Sequence, residues 1–261
     1  MTQPKRSSLQ ITKDTVHALL MRELKTRFGS SRLGYFWAVG EPAAQAAILA
    51  ILFTLIGRSS LSGVPVALFL ISGVMPFKAF SKTVTQLSVG ISSNTALFAY
   101  RQVSPIDPIL TRLIIELATF FIVYMIILSV MGWLGLDVWP QDLLALISAS
   151  LLLMSLGFGI ALCMSSALLY WQDANKLLGM VMTPMFFISG IFFCATMIPA
   201  KYWYLFTWNP IFHAIELSRD AFFASYTTPV GSWGYLALVS LSFVTVGLML
   251  YRVNRIRFAT L

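Results

Sequence analysis

The chain has 261 residues, of which 58% are hydrophobic and only 11% charged, against roughly 45 to 50% and about 25% in an ordinary soluble domain. This composition excludes a soluble enzyme. The formal net charge of +8 is compatible with nucleic-acid binding, but the basic residues flank apolar runs, which indicates membrane topology and no nucleic-acid partner.

The first 35 residues are polar and basic, without the apolar stretch and cleavage site of a signal peptide. Apolar residues recur at helical spacing from Val16 to Phe28, and Arg22 and Arg27 lie on other faces. This pattern predicts a basic amphipathic helix in the membrane interface, with its cations near lipid phosphates. A simple membrane anchor is the alternative role for this helix.

Apolar runs long enough to cross a bilayer as helices, which takes about 20 residues, follow this segment. We predict six spans: Phe36–Gly57, Val64–Phe80, Leu113–Trp133, Leu143–Trp171, Leu177–Ile198 and Gly234–Tyr251. The predicted fold class is therefore an all-α polytopic membrane protein of six transmembrane helices, preceded by the interfacial helix. We divide the chain into an interface segment (1–35), a transmembrane domain (36–251) and a basic tail (252–261).

The distribution of basic residues predicts the orientation of these spans. Of the 18 Lys and Arg residues, 15 fall on the side that carries both termini, and only Arg58, Lys201 and Arg219 fall on the other. Because basic residues near span ends are retained in the cytoplasm, both termini are predicted to be cytoplasmic.

Two connections are long enough to carry function. The cytoplasmic loop 81–112 contains two prolines around Asp107, and a loop of this length indicates a functional contact. The external segment 199–233 is rich in aromatic residues, which favours a position in the outer interface or packed back into the protein. Within it, Glu216 and Asp220 flank Arg219 at helical spacing, as expected of a solvated helix face or an ion pair.

Several kinds of site are missing from the sequence. There is neither a G-x-x-x-x-G-K-[ST] phosphate loop nor a G-x-G-x-x-G motif, so no nucleotide cofactor is expected in this chain. His17 and His213 are far apart without neighbouring ligands, so no metal site is predicted. The only acids within the predicted spans are Glu41 and Glu116, both near the cytoplasmic end. This pattern argues against ion-coupled transport and against a membrane enzyme with paired acids.

Three segments resemble a known family. The run from Arg27 to Trp37, closed by Glu41 and Pro42, resembles the N-terminal signature of ABC-2 type polysaccharide export permeases. The segment Pro184–Gly190 resembles the fifth span of that family, and Trp208–Leu217 resembles its external loop. Their order along the chain extends the resemblance over essentially the whole sequence. The stretches His213–Leu217 and Ser104–Asp107 look most like capsule exporters of Gram-negative bacteria.

The resemblance implies a permease subunit in the bacterial inner membrane that exports lipid-linked capsular polysaccharide. It also implies a separate ATP-binding cassette subunit in two copies, which binds ATP and Mg²⁺, so that this chain itself is not an enzyme. A homodimer would supply twelve helices around a closed conduit, since a hydrated polymer cannot cross lipid. Capsule-export components of the periplasm and outer membrane are further expected partners.

Other functions remain open at this point. O-antigen and teichoic-acid exporters share the implied architecture, and so do efflux permeases for small amphiphiles. A membrane-embedded enzyme acting on lipid-linked glycans is the alternative from another class. It would need acid, base or metal residues grouped at one membrane face.

Two candidate sites lie on the cytoplasmic side. The family's coupling region places the ATPase contact in residues 91–108, with Tyr100, Arg101 and Asp107. Arginine suits bidentate contact with phosphate, so the anionic head of the lipid-linked substrate is expected to bind the three arginines Arg22, Arg27 and Arg32. An effect of these arginines on orientation alone is the alternative.

The third candidate site is an aromatic track along the conduit and its outer gate. Aromatic planes pack on the C–H faces of sugar rings without deep, directional binding, which suits a sliding polymer. The predicted track comprises Phe186, Phe187, Phe192, Phe193, Tyr202, Trp203 and Trp208. Lipid-facing or packing aromatics are the alternative. Pro184 and Gly190 indicate that the fifth span is broken or closely approached along this track.

Overall fold

The computed structural model describes residues 8–28, 34–57, 60–99 and 103–260, and this part of the chain is almost entirely helical. Its α-helices are α1 (Ser8–Phe28), α2 (Gly34–Leu55), α3 (Val66–Ser88), α4 (Asp107–Trp133), α5 (Leu143–Leu168), α6 (Ala174–Ile188), α7 (Pro210–Phe222) and α8 (Trp233–Ala259). Strands β1 (Ser60–Leu61) and β2 (Val64–Pro65) form one short antiparallel hairpin. Short 3-10 helices cover Ser92–Ala99, Ala195–Met197 and Ala200–Leu205. The predicted, nearly all-α fold is confirmed.

Four of the described helices, α3, α4, α5 and α8, are long and apolar enough to cross a membrane. They make the chain a multi-pass membrane protein. Six spans are not confirmed, because α2 and α6 offer only the shorter apolar stretches Val39–Leu55 and Ala174–Ile188. The fifth predicted span, Leu177–Ile198, ends as a helix at Ile188.

The end of α6 follows from one glycine. Gly190 has a φ of +79°, the left-handed conformation that closes many helices and that glycine adopts at no steric cost. A Cβ at this position would lie 2.7 Å from a ring carbon of Phe212, so the space also requires glycine. Pro184 lies inside α6 without ending it. The helix break therefore lies at Gly190.

Helix α3 occupies the centre of the fold. In its most apolar stretch 72% of the residues are buried inside the protein, and it packs against α2, α4, α5, α6 and α7. Helix α5 packs closely on α8, where a Cβ at Gly159 would lie 2.5 Å from the backbone nitrogen of Val244. Small residues allow this approach of two backbones in a membrane protein.

The segment predicted as an external loop contains a buried helix. Almost every residue of α7 is buried, and the helix packs against α3, α5 and α8. The Asn209 side chain accepts a hydrogen bond from the backbone N–H of Ile211 at 3.0 Å, and Pro210 occupies the first turn. Both residues favour a helix start here. The segment is expected either in the outer interface or packed back into the protein. In the structure, α7 is packed back into the protein.

Candidate functional site

The break after α6 is held by a fully buried arginine on α7. The Arg219 Nη1 donates to the carbonyls of Gly190 at 2.6 Å and Phe193 at 2.8 Å, and Nη2 donates to that of Ile191 at 2.9 Å. Its Nε donates to the hydroxyl of Ser72 on α3 at 3.3 Å. These carbonyls follow the end of α6 at Ile188, and backbone carbonyls without a partner are costly when buried. Arg219 supplies donors to this segment.

The charge of Arg219 is balanced by a second buried charge one turn earlier on α7. Glu216 lies 3.9 Å from Arg219 Nη1, and both side chains are fully buried. Glu216 also accepts hydrogen bonds from the hydroxyls of Tyr226 and, at 3.0 Å, Thr228. Burial and the Glu216 carboxylate raise the pKa of Tyr226 far above its usual value, so the phenol stays protonated and donates. The expected ion pair exists, but the alternative of a solvated helix face is wrong.

His213 of α7 is hydrogen-bonded to the backbone of two neighbouring segments. The Ser232 N–H donates to Nδ1 of His213 at 3.1 Å, so Nε2 carries the proton and donates to the Thr207 carbonyl, 2.8 Å away. His213 thereby connects the segments that precede α7 and α8. The side chain has a structural role at this position.

Three of the predicted conduit aromatics come together beside the break. The ring centroid of Phe192 lies 5.3 Å from that of Phe186 and 5.7 Å from that of Phe187. Phe53 of α2 stacks on Phe192 with a centroid separation of 6.4 Å. Phe187 is 57% exposed. This aromatic cluster therefore reaches the protein surface between α2 and α6.

The other predicted aromatics do not join this cluster. Phe193 packs on Phe206 with a centroid separation of 5.1 Å. The Trp203 Nε1 donates to the carbonyls of Ala195 and Ile198. Tyr202 and Trp208 lie at the surface, 43% and 54% exposed. The structure thus divides the predicted track into one cluster, in which Phe192 beyond the break packs on Phe186 and Phe187 of α6, and residues that lie apart from it.

The N-terminal helix packs against the protein with its apolar side. Leu19 is buried, and α1 packs mainly on α4. The Arg22 side chain is 42% exposed, donates a hydrogen bond to the Asn94 side chain and lies 3.8 Å from Glu23. The side chain of Arg27 and all of Arg32 lie outside the described residues. Of the three predicted phosphate ligands, the structure therefore places only Arg22.

Sequence analysis missed an arginine of α4 that contacts three other elements. The Arg112 Nε of α4 lies 2.7 Å from the Glu23 carboxylate of α1, and both side chains are largely buried. Its two terminal nitrogens donate to the Gln86 carbonyl of α3 and the Ser93 hydroxyl of the 3-10 segment. The Arg112 network, defined as Glu23, Gln86, Ser93 and Arg112, ties α1 to the start of the predicted coupling segment. The sequence offered no signal for it, because its main partner lies 89 residues away.

One of the three predicted coupling residues is described. Asp107 begins α4, is 2% exposed, and accepts a hydrogen bond from the Ser104 N–H at 2.8 Å. This geometry makes Asp107 a cap of the turn that precedes α4. Tyr100 and Arg101 lie outside the described residues.

A small charged pocket lies between α2, α3 and α4. Lys78 pairs with Glu41 at 2.5 Å, Lys82 reaches the same carboxylate at 3.6 Å, and Glu116 lines the pocket with them. The Glu41 side chain remains about half exposed beside the two lysines. The acids inside the predicted spans thus have lysine neighbours.

Comparisons with known proteins identify one family over most of the chain. The family described as ABC-2 type transporter matches residues 15–223. The polysialic acid transport protein KpsM of Escherichia coli is 37% identical over 95% of this chain and 96% of its own length. The capsule polysaccharide export inner-membrane protein CtrC of Neisseria meningitidis serogroup B is 28% identical over 92% of this chain and 91% of its own length. The O-antigen export system permease protein RfbA of Klebsiella pneumoniae is 26% identical over 94% of both chains. With its bundle of apolar helices and a match over most of its length, the chain belongs to the ABC-2 type transporter family.

Proposed function

We propose that this chain is the permease subunit of an ATP-driven exporter, and that it carries lipid-linked capsular polysaccharide across the bacterial inner membrane. One observation carries the proposal: the chain is similar from end to end to a protein named for polysialic acid transport. Further relatives of similar coverage are named for capsule polysaccharide export. Lower identity to an O-antigen permease makes O-antigen the second candidate substrate.

The energy for export comes from a separate ATP-binding cassette subunit, present in two copies. The sequence has no phosphate loop, which supports this division of labour. Residues 91–108 are the proposed contact with that subunit, and ATP and Mg²⁺ belong to the subunit rather than to this chain. Burial of Asp107 indicates that the contact is made by exposed neighbours, and that Asp107 keeps the turn in shape.

The conduit forms between two copies of this chain. In support, α6 exposes most of its apolar surface, and the aromatic cluster of Phe53, Phe186, Phe187 and Phe192 reaches the same surface. A second copy placed there would turn both aromatic clusters toward one pathway, and two-fold pairs are the commonest oligomers. Both termini are cytoplasmic in this arrangement, and components of the periplasm and outer membrane receive the polymer.

The anionic head of the substrate is proposed to bind on the inner side. Arg22 keeps part of its surface exposed while it contacts Asn94. Such a cation at headgroup depth attracts phosphate, and its position next to the 3-10 segment would bring substrate close to the ATPase contact. Arg27 and Arg32 complete this proposed basic site.

Deleting the gene for this chain in its native bacterium tests the function. We expect surface capsule to disappear and polymer to accumulate in the cytoplasm, while O-antigen on the surface is unchanged. Restoring the wild-type gene should restore capsule. Loss of O-antigen with capsule intact would favour the second candidate. Turnover of a lipid-linked glycan by the purified chain without ATP would instead indicate a membrane enzyme.

A further inference from the structure

A cavity of about 680 Å³ separates α4 from α5 near the loop that joins them. The two helices follow each other in the chain but pack mainly on other partners, α4 on α1 and α3 and α5 on α3, α7 and α8. We call this cavity the α4–α5 groove. Its lining residues include Leu128, Gly132, Leu136, Trp139, Leu143 and Leu146.

The walls of the α4–α5 groove suit an apolar ligand. Its two serines have already used their hydroxyls within their own helices, because Ser129 donates to the Met125 carbonyl at 2.8 Å and Ser150 to that of Leu146 at 2.9 Å. A mostly apolar cavity of this kind retains water poorly, and an empty one forfeits the contacts of its lining atoms. A hydrophobic occupant is therefore favoured over water and over an empty groove.

The groove opens toward the hydrocarbon of the membrane. Both α4 and α5 are long and apolar enough to cross a bilayer. On the rim of the groove, Met125 and Leu143 are 66% and 59% exposed. Trp139 is 85% exposed at the loop end, and tryptophan is enriched at the level of the lipid headgroups. Acyl chains are the apolar molecules available at this depth.

Charge at the mouth of the groove selects the headgroup. The loop carries the exposed carboxylates of Asp137 and Asp142, and the chain has no Lys or Arg anywhere between residues 113 and 175. An anionic headgroup would be repelled here, whereas an ammonium group is attracted. A zwitterionic lipid fits both the mouth and the walls.

We propose that the α4–α5 groove binds an acyl chain of a zwitterionic phospholipid, with the headgroup ammonium beside Asp137 and Asp142. In the orientation predicted from the basic residues, this lipid belongs to the outer leaflet. The lipid replaces a direct contact between α4 and α5. Movement of α4, with α1 attached to it, relative to the α5–α8 pair then displaces a fluid chain instead of separating two packed helices.

Photolabelling of the full chain in vesicles tests the site. The probe is phosphatidylethanolamine with a photoreactive group on its acyl chain, and crosslinked peptides are identified by mass spectrometry. Ser129→Phe fills the groove, and we expect it to lower labelling of α4 and α5 by roughly tenfold, the effect of about 1.4 kcal/mol. Ser242→Phe is the matched control, because Ser242 is also exposed and bonds the carbonyl four residues earlier, but on α8.

Each alternative occupant gives a distinct result. Equal labelling by phosphatidylglycerol, or no loss of preference in Asp137→Asn, would overturn the assignment of the headgroup. Labelling that is unaffected by Ser129→Phe would overturn the groove as the site. Absence of labelling together with a disulfide between copies of Met125→Cys would show that a second copy covers the groove, and would also overturn the proposal. None of these results depends on which polymer is exported.

Discussion

Replacing Arg219 by Leu removes the donors that hold the segment after α6, from Gly190 to Phe193. Three backbone carbonyls within 2.6 to 2.9 Å of the guanidinium lose their partner, and Glu216 stays buried without its cation. A hydrogen bond to a charged group contributes about 1.5 to 3 kcal/mol, and removing one partner of a buried ion pair costs about 3 to 5 kcal/mol. We therefore expect Arg219→Leu to lower the free energy of unfolding by at least about 4 kcal/mol, a large share of the 5 to 15 kcal/mol typical of a folded protein.

The assay is denaturant unfolding of purified protein in detergent, followed by tryptophan fluorescence, together with the abundance of each variant in membranes. Arg219→Lys should recover only part of the loss, because an ammonium lacks the planar fork that reaches several carbonyls. Arg257→Leu is the matched control, since Arg257 is exposed and lies 5.0 Å from the Tyr170 ring. Its expected cost is about 0.5 to 1 kcal/mol. If Arg219→Leu unfolds like the control, Arg219 does not stabilise the segment after α6.

Three further predictions concern other parts of the molecule. Glu23→Ala and Arg112→Ala, alone and together, should give a coupling energy of roughly 1 to 2 kcal/mol in a double-mutant cycle of unfolding, since the pair is largely buried; additive effects would exclude the interaction. Gly190→Ala should lose more than about 1 kcal/mol in the same unfolding assay because of its left-handed backbone, whereas Gly179→Ala, in open space on a helix, should be neutral or stabilising. Phe192→Ala should lower surface polysaccharide at normal membrane abundance, because it removes the central ring of the aromatic cluster that is proposed to face the polymer; full export at that abundance would remove Phe192 from the pathway.

Hydropathy predicts the long membrane helices well, whereas the end of the broken one is indicated by Gly190 and not by hydropathy. The predicted span Leu113–Trp133 lies within α4, and Leu143 begins both the predicted fourth span and α5. In both cases, a continuous apolar run coincides with an uninterrupted helix. The fifth run continues past Gly190 with equally apolar residues, so hydropathy alone extends it to Ile198. The left-handed Gly190 ends the helix, and hydropathy does not record backbone conformation.

The buried α7 shows the converse difficulty. It carries Glu216, Arg219 and Asp220, whose helical spacing is compatible both with a solvated helix face and with an ion pair. Their burial depends on partners from distant parts of the chain, such as the carbonyls after α6 and the Ser72 hydroxyl, which no local pattern identifies. The helix start was accessible to sequence reasoning, because Asn209 and Pro210 form a favourable N-terminus.

For the aromatic and basic candidates, the residue type alone does not determine which side chains come together in the structure. The sequence singled out Phe186, Phe187 and Phe192, which do form a cluster, but also Trp203, whose indole N–H is engaged with backbone carbonyls. Composition does not distinguish these aromatic residues from one another. Which of them share a surface depends on how α6 and the segment after it pack. In the sequence, Arg112 is one of the 15 basic residues counted on the side of the termini, because an ion pair across two helices has no signature in a single sequence.

The distant pairing of Glu23 with Arg112 has a consequence for the order in which the protein is synthesised. Helix α1 leaves the ribosome before its docking site on α4 exists, so it must wait for about 90 further residues, roughly 5 to 20 s at the usual elongation rates. During that interval the lipid surface is the available support for its apolar side, and the exposed Lys13, Arg22 and Lys25 can rest near lipid phosphates. For the buried Arg219 of α7 the order is reversed, because its partners on α3 and after α6 are synthesised before it. One helix of this protein is thus suited first to a lipid surface and later to a protein surface.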